Sequence, residues 1–160
     1  MSAAPTSPPS FAATRPINPP GAEPRLTKAE VWKALTIKTR EPKEFVPMIR
    51  SCKVVKEEGN KITRHVKFGS ASSPTTIEEC TLYEPTIVYF DMTTAPHGHI
   101  INLVSHDPQG ELQLTYSFSN GVPTLSKEDV DNVDKANKVI GDLVQHSIDT
   151  MRKLHKEGRL

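Results

Sequence analysis

The sequence predicts an α+β fold in which an antiparallel sheet packs against one long C-terminal helix. Three observations predict it. Residues 53–120 hold a series of strand-like segments joined by short loops. Everything after Ser126 carries a single apolar stripe at helical spacing. Near the N-terminus a capping box, Thr27 with Glu30, opens another helix.

The elements follow in order. Residues 1–10 are rich in Pro, Ser and Ala and are expected to form a disordered tail, with one domain over residues 11–160. Phe11 to Ile17 reads as a first strand ended by "NPPG". Leu26 and Val31 suit a hydrophobic staple, and Val31, Trp32 and Leu35 form the inner stripe of the first helix. Pro42 ends that helix and is expected to begin a second short one, "PKEFVPMIRSC", with Phe45, Met48 and Ile49 on one face.

In "NKITRHVKFG" the residues Ile62, Arg64, Val66 and Phe68 alternate with Thr63, His65 and Lys67. Strands "TTIEECTLYE", "TIVYFDM", "HIINLVSH" and "ELQLTYSF" follow, the last with Leu112, Leu114, Tyr116 and Phe118 on one face. Ser126 and Asp129 resemble a capping box for a final helix of roughly 30 residues, about 45 Å long. Its stripe is Val130, Val133, Ile140, Val144, Ile148 and Met151, edged by Leu143 and Leu154, with Gly141 beside it.

Composition narrows the function. The chain has 20 Lys and Arg against 19 Asp and Glu, which gives no electrostatic reason to expect nucleic acid or an anionic membrane. The two cysteines, Cys52 and Cys80, form no CxxC pair and are expected to be reduced, structural thiols. No secretory signal or apolar run of membrane-spanning length is visible, so a soluble cytoplasmic protein is expected. The sequence holds no nucleophile elbow, phosphate-binding loop or dinucleotide fingerprint, and no cofactor is implied.

Three of the six histidines lie in "TAPHGHIINLVSHD". His97 and His99 form H-x-H, but no carboxylate follows until Asp107, and His106 has the opposite parity. No metal site is expected. His99 remains a candidate acid or base at a pocket mouth.

The segments "LTKAEVWKAL", "FVPMIRSCKV", "TRHVKFG", "GHIINLVSHD", "GELQLTYSF" and "TMRKLHKEGRL", in that order, resemble the fungal AtaL-like family. That is a domain family of unknown function within the START-like superfamily, whose other members include birch-pollen allergen proteins and polyketide aromatases/cyclases. The resemblance covers roughly residues 10–160. It implies the helix-grip fold: a curved antiparallel sheet around the long C-terminal helix, with two short helices after the first strand and a cavity between sheet and helix. Such cavities hold apolar or amphipathic small molecules. Some relatives only bind, while others catalyse cyclisation, dehydration, isomerisation or condensation, so a cofactor-free enzyme of cyclisation, isomerisation or elimination and a carrier both stand as readings. Monomer and dimer are equally open.

Within that cavity Arg64 is the most informative residue, because a charge on an apolar strand face demands a partner. A hairpin about "SASSP" can pair residues whose numbers sum to 143, which sets Glu79 opposite Arg64. A one-residue shift instead turns Glu78, Cys80 and Leu82 inward. On the first register Arg64, Glu79 and Tyr116 form the candidate catalytic set: an anion anchor, a general base and a hydrogen-bond donor. The candidate ligand-binding residues are Asn102, Phe68, Tyr83, Tyr89, Leu114 and Phe118 on the strands, Trp32 on the first helix, and Ile140, Val144 and Ile148 on the last. Both faces of "IINLVSH" are apolar, so alternation leaves the direction of Asn102 open. The loops "FGSASSP" and "TTAPHGH" are the expected mouth.

Overall fold

The computed structural model describes residues 7–160. The expected tail therefore falls mostly outside it, at residues 1–6. Seven strands form one antiparallel sheet: β1 (Phe11–Pro16), β2 (Ile49–Glu58), β3 (Lys61–Phe68), β4 (Thr76–Tyr83), β5 (Ile87–Met92), β6 (His99–His106) and β7 (Leu112–Ser119). The spatial order is β1-β7-β6-β5-β4-β3-β2. Strands β2 to β7 are a meander of sequential hairpins, and β1 pairs with β7 at the far edge. Register breaks in β2, between Ile49 and Ser51 and between Val54 and Lys56, bend that edge as bulges do.

Helix α1 (Lys28–Arg40) begins at the expected capping box, with the Thr27 side chain accepting from Glu30 N–H and the Glu30 carboxylate accepting from Thr27 N–H. The expected second short helix does begin at Pro42, but it is a single 3₁₀ turn, Pro42–Glu44, rather than the whole of "PKEFVPMIRSC", and β2 starts by Ile49. Seven residues with two prolines, from Pro42 to Met48, are too few for a stable helix before the strand takes over.

The C-terminal helix is interrupted once. Helix α2 (Lys127–Asp131) starts at the Ser126–Asp129 capping box, and α3 (Val133–Lys156) restarts at Asn132, whose side chain accepts from Lys135 N–H. The break rotates Val133 off the expected stripe, leaving it 64% exposed. From Ala136 onward the stripe holds: Ile140, Val144, Ile148, Met151 and Leu154 are fully buried against the sheet's inner face. This is the helix-grip arrangement. Beside the stripe, a Cβ on Gly141 would lie 1.7 Å from the Arg15 guanidinium, which crosses there to reach the Asn137 carbonyl. No helix among the described residues is long and apolar enough to cross a membrane.

Candidate functional site

A cavity of about 350 Å3 lies between the sheet's inner face, the end of α1 and the helix α3. Its walls are apolar, with Phe45, Phe68, Phe90, Ile100, Phe118 and Leu143. Loop residues Pro47, Met48, Pro96 and Pro123 border it. Apart from Thr76, its polar groups are one connected cluster: Lys38, Arg64, Glu78, Asn102 and Tyr116.

The β3–β4 register decides which carboxylate reaches this cluster. Arg64 pairs with Glu78, so the shifted register forms and the numbers sum to 142. Glu78 is 1% exposed, whereas Glu79 points to solvent on the outer face. The placement of Glu79 in the cavity is thereby corrected. The physical reason is burial: this register also turns Cys80 and Leu82 inward and leaves Glu79 hydrated.

Arg64 is inward as expected, but its donors are already engaged. Nε and a terminal nitrogen hold Glu78 at 2.7 and 2.6 Å. The other terminal nitrogen donates to the carbonyls of Lys38 and Thr39, at 3.1 and 2.9 Å. Those are last-turn carbonyls of α1, which have no partner within the helix. Ile37 C=O accepts from Glu41 N–H, and Arg40 C=O from the Cys52 thiol. The Arg64–Glu78 pair thus caps α1 from inside the core and fixes the backbone of Lys38.

Lys38 is the residue that sequence reasoning missed. It is 4% exposed, and its Nζ donates to Asn102 Oδ1 at 2.6 Å and to the Tyr116 hydroxyl at 2.9 Å. Burial, aided by repulsion from Arg64 and opposed by Glu78, pulls its pKa from 10.5 down to about 7. The rings of Tyr116 and Phe90, 4.0 and 5.4 Å away, soften that penalty without cancelling it. A signal did exist. Lys38 stands seven residues after Val31 and three after Leu35, on the apolar stripe of α1.

Asn102 faces inward with no exposed surface, and its Nδ2 has no hydrogen-bond partner. Tyr116 is inward too; burial raises its phenol, which stays protonated. Phe68 and Phe118 line the cavity as expected. Tyr83 and Tyr89 do not: they meet edge to face at 5.7 Å on the outer face, where alternation with inward Leu82 on β4 and Val88 and Phe90 on β5 puts them. Leu114, Trp32, Ile140, Val144 and Ile148 are buried in the core but lie off the cavity wall, which takes Leu143 from α3 instead.

The histidines stay apart from the cavity. His99 pairs with Asp91 and stacks on Tyr89 outside the sheet. Among the described residues no three His, Cys, Asp or Glu side chains converge as metal ligands would. Of the expected mouth loops, "TTAPHGH" contributes Pro96, and "FGSASSP" contributes only Phe68 at its start. The loops around Pro47 and Pro123 complete the border. Burial pushes the Cys80 thiol up to about 12, so it is inert packing.

Residues 11–158 match the model of a protein family described as AtaL, acetylaranotin biosynthesis cluster protein L. The chain belongs to the AtaL family. No curated protein matches it. Solved structures with the same fold as this AtaL-family chain include the di-domain aromatase/cyclase StfQ from the steffimycin biosynthetic pathway. That match has 8% identity, covers 92% of this chain and 51% of StfQ, and has a TM-score of 0.64. This chain therefore spans about half of StfQ. The Zhui aromatase/cyclase from Streptomyces sp. R1128 matches at 12% identity, over 91% of this chain and 93% of that one, with a TM-score of 0.56. Ara h 8.0201 matches at 14% identity, over 88% and 97%, with a TM-score of 0.52. At these identities the likeness establishes the fold alone.

Proposed function

We propose that this protein is a cofactor-free enzyme of secondary metabolism. It acts by acid–base chemistry on an apolar, carbonyl-bearing intermediate, with cyclisation as the favoured outcome. One observation carries the reading: an amine with a pKa of about 7 lies in the polar cluster of an otherwise apolar cavity. A base poised near the working pH removes protons most effectively. Lys38 takes a proton from the carbon next to a substrate carbonyl. The Asn102 Nδ2, a buried donor without a partner, holds the enolate oxygen that develops, and the Tyr116 hydroxyl accepts from the amine and orients it. Arg64 and Glu78 keep Lys38 in place and are positioning residues. The family's description as a biosynthesis-cluster protein and the aromatase/cyclase neighbours support the same class of chemistry.

A non-catalytic carrier for a hydrophobic or amphipathic small molecule is the second reading. It is favoured by the pairing of Arg64, Glu78 and Lys38 with groups of the protein itself. Deuterium exchange separates the two. The apolar ketone α-tetralone is incubated with the protein in D2O, and incorporation beside the carbonyl is followed by NMR. The enzyme reading expects acceleration over buffer that rises through about pH 7 and is lost in Lys38→Met. Binding of the ketone without acceleration favours the carrier.

A further inference from the structure

We infer that Lys38 is a covalent trap for carbonyl compounds: its amine condenses with one ketone of a bound 1,3-dicarbonyl compound to give an enaminone and water. This rests on the cavity being the substrate site, as proposed above, and adds both the substrate class and the covalent step.

The geometry argues for it at three points. First, a neutral amine has two N–H bonds and one lone pair. Lys38 donates to Asn102 Oδ1 and to the Tyr116 hydroxyl, which uses both N–H bonds. The remaining tetrahedral position, the lone pair, has no partner in the protein, and Lys38 forms part of the cavity lining. Second, Asn102 Nδ2 is a fully buried donor on the same lining with nothing to bond, and it suits a ligand carbonyl oxygen. A compound with two carbonyls satisfies both features at once: one carbon meets the amine while the second oxygen accepts from Nδ2. Third, the surrounding wall is apolar, which favours loss of water on condensation. Lys38 is also the one lysine among the buried described residues.

The step balances without an oxidant or reductant. The Nζ lone pair forms a bond to the carbonyl carbon as the carbonyl π pair moves onto oxygen. The two amine hydrogens end on that oxygen, with the Tyr116 hydroxyl relaying protons, and the oxygen leaves as water. A proton from the carbon between the two carbonyls then moves to nitrogen, which conjugates the enaminone. The Arg64 contact to the Lys38 carbonyl holds the nucleophile's backbone throughout.

The test uses the full-length protein and 1-phenyl-1,3-butanedione at neutral pH. The expected result is one adduct per chain, with the mass of the probe less one water and a new near-ultraviolet band. Peptide mapping places it on Lys38, formed at least about tenfold faster than on exposed lysines, because far more of this amine is unprotonated. Lys38→Arg abolishes the adduct. Tyr116→Phe slows its formation by about 100-fold while leaving its position unchanged. Mapping the unaltered protein needs no variant, so a variant that fails to fold leaves the test intact. Adducts spread over surface lysines, or none on Lys38, overturn the inference. Lys38-dependent exchange of α-tetralone without any adduct removes the covalent step alone, whereas loss of both removes the enzyme reading as well.

Discussion

The stability of this protein should rise with pH above neutrality, and Lys38→Met should remove that rise. In the unfolded chain the amine keeps its proton up to about pH 10.5; in the folded protein it keeps it only up to about pH 7. Between those values the unfolded state binds more protons, so raising the pH stabilises the fold. Below about pH 7 both states are protonated and the penalty is fully present. Above about 10.5 both are neutral and it is gone. At about 1.4 kcal/mol per pH unit, the gap sets a ceiling of roughly 5 kcal/mol. Arg64, Glu78, Cys80 and Tyr116 face the amine, and of these Glu78 and, more weakly, Cys80 oppose the shift. Methionine keeps the volume and removes the proton site. It leaves Asn102 Oδ1 and the Tyr116 hydroxyl without their donor, but that cost does not vary with pH. The measurement is urea unfolding of both proteins from about pH 6 to about pH 9.5. Wild-type minus variant stability should be flat below about pH 7 and then gain roughly 2 to 3 kcal/mol by about pH 9. A difference that stays constant across that window would falsify the depressed pKa and the general-base role built on it.

Two further outcomes test the surroundings. Glu78→Gln should cost about 3–5 kcal/mol in denaturant melts, because it strands the buried Arg64, while Glu79→Gln on the outer face should stay within about 0.5 kcal/mol; the opposite ranking would reject the observed register. Gly141→Ala should destabilise the wild type by displacing Arg15. In an Arg15→Ala background the same change should stabilise by about 0.5–1 kcal/mol, so a double-mutant cycle without that change of sign would disprove the close approach.

The sheet and both helix starts were legible because local signals and tertiary burial agree there. Thr27 with Glu30 and Ser126 with Asp129 cap as their spacing demands, and the alternation in β3 and β7 matches the inner face. The site was harder, because it is where the local rules conflict. Glu78 and Glu79 are chemically identical neighbours, and only the β3–β4 register separates them. Tyr83 and Tyr89 carry strand propensity that says nothing about which face is buried. Lys38 was readable in principle from the stripe of α1. A lysine at a helix end is, however, also what the helix dipole favours at the surface, and that explanation masked the burial.

The polar cluster of the cavity works against the stability of the fold. Lys38, Arg64 and Glu78 are each below 5% exposed, and Asn102 Nδ2 is left unpaired. Apolar side chains of the same volume would generally be as stable or more so. A structural role explains part of this expense, since Arg64 caps α1 where no backbone donor is available. It does not explain Lys38, whose position on the stripe any aliphatic residue would fill without a desolvation penalty, nor an amide donor directed at nothing in the protein. Those two groups sit together on the wall of one apolar cavity, and a single carbonyl compound bound as proposed would engage both the amine lone pair and the free amide donor. Where local consistency fails in two adjacent places and one ligand chemistry repairs both, function is the more economical cause.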